Sequence, residues 1–337
     1  MSTEPPSPEV AGGAGSGGGL RLLVERREAA IFVVAVALFL YFTFATSAFI
    51  SYANFVTLTQ FLAPIAVIGA GEALLLTAAE VDLSAGTSFI FFPFVAYFLW
   101  ANAGLPIGLA IVISLVAAAC FGAINGLLTV MLDLPSFVTT LGTLFALDGI
   151  MLLTSNGVQD TFSLSGTGGS ILGNYSWSEG LWALFLVAGM FVLFHRTRFG
   201  LHIVATGGNQ LGAAEAGVAV RRVKVWTFVL CSVVSAFAGI IDAVRITTLD
   251  PGNDGTLEMF YAVAAAVIGG TALTGGRGTV IGAGIGAIVL GVLYDGLNIQ
   301  GVSAFYFELV LGVAILLAMA ANVQLRRVAM RRWRVVR

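Results

Sequence analysis

The chain has 337 residues, of which 58% are hydrophobic and 10% charged, and its mean hydropathy is +0.97. A soluble domain carries about 25% charged residues, so this composition excludes a soluble globular protein and indicates a polytopic membrane protein. The formal net charge of −2 gives no indication of nucleic acid as a partner.

The cysteines and histidines indicate no metal centre. Cys120 and Cys231 lie inside apolar segments, where they act as small hydrophobic residues. His195 and His202 have no acid or thiol at ligand spacing, so no metal site is predicted.

Residues 1–28 are rich in Pro, Ser and Gly and end in three arginines, which predicts a disordered cytoplasmic tail. No small-residue cleavage site follows the first apolar segment, so this segment is expected to remain as a membrane span. Residues 29–323 are interpreted as the transmembrane domain, with a polar loop at 196–224, and residues 324–337 as a basic cytoplasmic tail.

Apolar segments long enough to cross about 30 Å of hydrocarbon follow one another closely. We predict ten spans within a range of eight to eleven, with both termini in the cytoplasm, at 29–49, 56–79, 86–102, 106–131, 137–153, 180–195, 225–246, 259–273, 279–297 and 304–322. The segments at 137–153, 180–195 and 259–273 are short, so tilted, broken or partly re-entrant spans are the alternative there.

The cations support this topology. With both termini inside, fifteen of the 16 Lys and Arg residues are cytoplasmic, as the positive-inside rule requires. Arg245 is the exception at the outer face. Asp242 precedes it by three residues, so an i,i+3 ion pair is predicted, and the alternative is docking of an acidic partner.

Two polar turns begin spans. In Glu80–Gly86 (EVDLSAG), Asp82 and Ser84 are expected to cap the third span. In 135–143 (PSFVTTLGT), Pro135 presets the entry to the fifth span, and threonine hydroxyls lie on one side of it. A third turn, 269–279 (GGTALTGGRGT), is rich in glycine and allows tight backbone turns.

The polar loop contains a short helix. Asn209 is a good N-cap and Gly217 suits the left-handed position after the helix. The seven residues between them, QLGAAEA, make about two turns, too few to be stable alone in water. The loop is therefore either an ordinary surface loop or a helix that docks in a groove of another protein.

In this order and spacing, the three turns and the loop motif 205–218 (ATGGNQLGAAEAGV) resemble the ribose-type permease subunits of bacterial ATP-binding cassette importers, in the branched-chain and sugar permease family. The resemblance covers about residues 30–325. It implies an all-α fold of the type II importer kind. One departure is that Ala78, Ala79 and Glu80 stand where the family usually has two glycines.

The resemblance also implies site residues. Those expected to couple to the ATPase are Gly207, Gly208, Asn209, Ala213, Ala214, Glu215 and Gly217, and those expected in the translocation path or gate are Asp82, Ser84, Phe137, Thr139 and Thr140.

The same resemblance implies a permease subunit for a monosaccharide or similar small polar solute in a bacterial cell membrane. Its expected partners are ATP-binding cassette ATPase subunits, an extracytoplasmic substrate-binding protein, a second permease copy (identical or a close paralogue) and membrane lipid. The single lysine, Lys224, has no G-x-x-x-x-G-K-S/T motif around it, so the partner subunit is expected to use the ATP and this chain to bind no cofactor.

The sequence also bears on two other functions. Glu72, in the middle of the second span, would suit an ion-coupled secondary transporter complete in one chain. Asp148, Asp295 and Glu308 lie nearer span ends and are weaker ion sites. A membrane enzyme has no nucleophile–base pair or metal cluster to support it.

Overall fold

The computed structural model describes residues 27–303, 306–310 and 312–316. The predicted tails lie outside this part of the chain, apart from positions 27 and 28, which already belong to the first helix. The described residues form helices and no β-strand, with one isolated antiparallel bridge between Asp160 and Leu249. The all-α prediction is confirmed.

Twelve helices are numbered here in chain order. The first six are α1 (Arg27–Ala45), α2 (Tyr52–Thr77), α3 (Ala85–Tyr97, continued by a π-helical turn Phe98–Asn102), α4 (Ile107–Met131), α5 (Ser136–Ser155) and α6 (Gly166–Gly169, continued by a π-helical turn Ser170–Asn174). The other six are α7 (Ser178–Arg196), α8 (Arg198–Gly208), α9 (Gln210–Glu215), α10 (Val220–Ile246), α11 (Thr256–Ile268) and α12 (Val280–Ile299). The described residues of 306–316 are also helical.

Eight helices of the described chain are long and apolar enough to cross a membrane: α1, α2, α3 with its π turn, α4, α5, α7, α10 and α12. They correspond to eight of the ten predicted spans. The predicted span at 259–273 coincides with the shorter apolar helix α11. Of the predicted span at 304–322, the structure describes residues 306–310 and 312–316, which are helical, and the rest lies outside the described residues. At 1.5 Å per residue, the 13 residues of α11 extend only about 20 Å.

Two helices form the centre of the bundle. α10 packs against α2, α3 and α4, while α2 also packs against α7, α11 and α12. Glycine allows close contacts between these helices. A Cβ on Gly122 would lie 2.6 Å from the Phe228 carbonyl oxygen, and one on Gly126 would lie 2.7 Å from Val225 Cα. α4 and α10 therefore touch backbone to backbone.

α3 and α11 both begin at mid-depth in this bundle. Ser88, in the first turn of α3, lies against Ser232 near the middle of α10, with 3.5 Å between the two Oγ atoms. The start of α11 meets the start of α3, because Thr87 Oγ1 donates to the Asp254 carbonyl at 3.1 Å. The loop between α2 and α3 (residues 78–84) thus runs from the end of α2 into the interior of the bundle.

Candidate functional site

The α2–α3 loop brings the sequence motifs together. Its Val81 N–H donates to Ser136 Oγ at 3.1 Å, and its Leu83 N–H donates to Thr140 Oγ1 at 3.0 Å. The motifs 80–86 and 135–143 are therefore joined, because hydroxyl oxygens of α5 accept hydrogen bonds from backbone N–H groups of the loop.

Asp82 and Ser84 form the inner end of this loop and are both fully buried. Asp82 Oδ1 accepts hydrogen bonds from the Ser84 N–H at 2.9 Å and from Ser84 Oγ at 2.5 Å. Asn125 of α4 donates through Nδ2 to Ser84 Oγ at 2.8 Å. The expectation that Ser84 caps α3 is wrong, since its hydroxyl accepts no hydrogen bond from the first turn. A short-range bond to Asp82 competes with the cap and replaces it.

The residues of α5 that were predicted to line the path lie in two different environments. Thr140 is fully buried and holds the loop, while Thr139 is buried with its hydroxyl on the Pro135 carbonyl at 3.5 Å. Phe137 is 53% exposed and lies on an outer apolar face of α5 with Val138. The structure thus brings Asp82, Ser84 and Thr140 together and leaves Phe137 apart.

A second buried acid lies near this cluster. Glu72 of α2 is fully buried, and its Oε1 accepts a weak hydrogen bond from Cys231 Sγ of α10 at 3.6 Å. Within the described residues, Glu72 Oε2 and Asp82 Oδ2 have no hydrogen-bond partner. The interior beside the α2–α3 loop is therefore rich in oxygen acceptors.

The helix of the polar loop has the predicted caps. Asn209 Oδ1 accepts from the Gly212 N–H at 3.0 Å, and Gly217 has φ +84°. Ala213 and Ala214, both expected to couple to the ATPase, lie on different faces of α9. Leu211 is 72% exposed and Ala214 is also exposed, whereas Ala213 is buried against the chain's own residues. Ala213 therefore seats the helix, and Leu211, Ala214 and Glu215 form its outer surface.

Gly207 joins this loop to the end of α2. A Cβ at Gly207 would lie 1.8 Å from the Thr77 carbonyl oxygen, so only glycine allows this approach. The Gly276 N–H donates to the same oxygen at 2.8 Å. Gly208, the adjacent residue, is exposed and its nearest such contact is Gly276 Cα at 3.7 Å. The loop motif and the 269–279 turn thus meet on the last carbonyl of α2.

An ion pair that the sequence analysis missed lies beside this site. Lys224 Nζ, near the start of α10, lies 2.5 Å from Glu80 Oε1 of the α2–α3 loop. Both side chains are nearly buried, at 11% and 8% exposed. Lys224 Nζ also donates to Gln210 Oε1, at the start of α9, at 3.4 Å. The available signals were the only lysine and the added acid at position 80.

The opposite end of the bundle contains a second charge cluster. Arg245 Nη2 pairs with Asp242 Oδ1 at 2.5 Å, which confirms the predicted i,i+3 pair. Its Nε also lies 2.7 Å from Glu179 Oε2 of α7, a partner that the sequence did not indicate. Glu179 is only 4% exposed, so Arg245 pairs with a buried acid and connects α7 to α10.

An all-helical membrane bundle with a short capped helix on a basic polar loop has the features expected of a transport permease. The family described as branched-chain amino acid transport system, permease component, matches residues 52–319, and the chain belongs to this family.

Relatives with assigned roles are similar over most of their length. The xylose/arabinose import permease protein XylH of Sulfolobus acidocaldarius is 36% identical over 315 residues, covering 90% of this chain and 87% of that protein. The galactose/methyl galactoside import permease protein MglC of Escherichia coli is 33% identical over 320 residues, covering 89% and 95%. The ribose import permease protein RbsC of Escherichia coli is 32% identical over 269 residues, covering 76% and 81%. No solved structure matches the chain.

The predicted class is confirmed. The chain is a permease subunit of an ATP-binding cassette importer and a multi-pass protein of the cell membrane. It is a transport subunit and not itself an enzyme.

Proposed function

We propose that this chain forms the translocation path for a monosaccharide or similar small polar solute, and that ATP hydrolysis by separate ATPase subunits drives the import. The observation that carries the proposal is the meeting of all four motifs around the α2–α3 loop, since it connects the surface helix α9 with the buried polar cluster of Asp82, Ser84 and Thr140. The names of XylH, MglC and RbsC support a sugar as the solute.

In this proposal the polypeptide crosses the membrane ten times, with both termini in the cytoplasm. The eight long helices supply eight crossings, and α11 and the helical residues of 306–316 supply the remaining two as shorter elements. This arrangement keeps the cations flanking α9 on the cytoplasmic side and Arg245 on the outer side.

α9 docks on the ATPase. Its exposed face, with Leu211 and Ala214, continues into a groove lined by Val218 and Ala219. A short apolar helix with an exposed leucine buries its apolar surface when it binds in a groove of a partner. The ATP is bound by the partner, and this chain contributes no cofactor site.

A second permease copy, identical or paralogous, faces this chain across the path, and lipid covers the remaining apolar surface. α5 supports this arrangement, because Phe137, Val138 and Phe145 are exposed apolar residues of the helix whose Thr140 holds the α2–α3 loop. A substrate-binding protein delivers the solute at the outer end, beside Arg245.

The test is reconstitution of this chain in proteoliposomes with its ATPase and binding protein, and uptake of radiolabelled pentoses and hexoses. Uptake should require ATP and survive collapse of the proton gradient. Glu72→Gln should retain most uptake, because Glu72 contacts Cys231 and serves as a buried packing residue here. Solute uptake by this chain alone under an ion gradient would refute the proposal and support the ion-coupled alternative.

A further inference from the structure

The Lys224 ammonium connects three separate elements. It extends from α10, pairs with Glu80 of the α2–α3 loop and donates to Gln210, the first residue of α9. An ammonium has three donors without a fixed plane, so one Lys224 can hold both partners at once. Gln210 follows the N-cap Asn209 directly, so any shift of α9 also moves this contact.

The surroundings make this contact consequential. Lys224 and Glu80 line a polar cleft together with Thr129, Asp133 and Arg221. Within the described residues, Lys224 is the cation paired with Glu80, and both side chains are nearly buried. A nearly buried charge is disfavoured without a partner. Lys224 and Glu80 therefore remain paired as long as the α2–α3 loop and α9 keep their relative positions.

The α2–α3 loop passes a displacement inward. Glu80 is two residues from Asp82, whose carboxylate holds Ser84 at the start of α3. The intervening Val81 and the following Leu83 are fixed to α5 by their N–H groups. Glu80 is therefore connected to the buried polar cluster by a short backbone segment that is held to α5, so a movement of Glu80 would act on that cluster and on α5 together.

We propose that Lys224 is a positioning residue that transmits movement of the ATPase-docking helix α9 to the α2–α3 loop, through its simultaneous contacts with Gln210 and Glu80. The inference rests on the proposed function and adds a device particular to a chain that has an acid at position 80. Lys224 does not contact the solute or ATP. It sets how much transport each ATP hydrolysis event produces.

The experiment measures solute transported per ATP hydrolysed in proteoliposomes that contain this chain, its ATPase and its binding protein. Lys224→Met keeps the aliphatic stem and removes the charge. It should lower the ratio about fivefold or more, the size of an ordinary coupling between sites, while assembly and basal ATP hydrolysis stay at the wild-type level. Glu80→Gln should give the same phenotype. The charge swap, Glu80→Lys with Lys224→Glu, should recover at least part of the ratio.

Arg198→Met is the matched control, because it removes an exposed cation of the same polar loop that has no ion pair within the described residues. Gln210→Ala breaks the contact between α9 and Lys224, leaves the pair with Glu80 in place and lies on the surface, so it can be measured even if Lys224→Met fails to fold. Because Gln210 also lines the groove beside α9, its ratio is compared at wild-type co-purification of the ATPase. An unchanged ratio in Gln210→Ala together with Glu80→Gln overturns the inference, as does an equal loss in Arg198→Met. Wild-type uptake that is independent of ATP would instead refute the proposed function itself.

Discussion

The contact between Gly207 and Thr77 gives the sharpest test of how the motifs are joined. In Gly207→Ala the new methyl group would lie 1.8 Å from the Thr77 carbonyl oxygen and 2.7 Å from the Gly276 nitrogen. Both neighbours are backbone atoms, so no side chain can rotate away. α8, the end of α2 or the 269–279 turn must move.

The expected cost follows from two contributions. Forcing one methyl group into a packed backbone contact costs about 1–3 kcal/mol. Displacing the Thr77 carbonyl also breaks its hydrogen bond from the Gly276 N–H, which contributes about 1 kcal/mol. Gly207→Ala should therefore lower the free energy of unfolding by about 2–4 kcal/mol.

The neighbouring Gly208 provides the control, since a Cβ there meets only Gly276 Cα, at the ordinary distance of 3.7 Å. Gly208→Ala should leave the free energy of unfolding within about 1 kcal/mol of the wild type, with any change toward stability because alanine favours helix. The assay is unfolding of the purified chain in mixed micelles, titrated with a denaturing detergent. Equal stability of Gly207→Ala and Gly208→Ala would refute the close approach of α8 to α2.

Three further outcomes follow from the structure. Ala214→Trp should abolish co-purification of the ATPase while changing the free energy of unfolding by no more than about 0.5 kcal/mol. The buried Ala213 is the comparison, since Ala213→Trp should lower the free energy of unfolding by about 1–3 kcal/mol. Normal co-purification with Ala214→Trp would show that α9 does not dock on the ATPase. Ala79 has φ +63°, so Ala79→Gly should stabilise the chain by about 1 kcal/mol in the same unfolding assay, and a loss of stability would mean that its methyl contact outweighs the backbone strain. Arg245→Ala should destabilise by about 3–5 kcal/mol because it leaves the buried Glu179 unpaired; an intact fold with weakened association of the binding protein would show instead that Arg245 is a docking residue.

The sequence was informative wherever the determining interactions are local. Hydropathy depends on composition within one segment, so the eight long helices could be found without tertiary information. The capping residues of α9 are close to each other in the sequence, and so are Arg245 and Asp242. These features are set by backbone donors and acceptors close in sequence.

Other features depend on distant residues. The partner of Glu80 lies on α10, and nothing near Glu80 in the sequence indicates Lys224. α9 has only six residues, too few for its periodicity to show that Ala213 faces inward. The span was predicted to run to residue 273, but α11 ends at Ile268 because Gly269 and Gly270 terminate the helix, Gly270 with φ +94°. Hydropathy contains no information about backbone conformation, so it could not place this end.

The positions of the motifs follow from the backbone of a membrane protein. Each motif lies where one helix ends or the next begins, and the α2–α3 loop does so inside the bundle, where an interrupted backbone is tolerated only if other groups of the protein satisfy it. Here Ser136 and Thr140 accept from the α2–α3 loop, and the Gly276 N–H satisfies the last carbonyl of α2. The hydroxyls and glycines that make the motifs recognisable are therefore the groups that allow non-helical backbone inside the bundle.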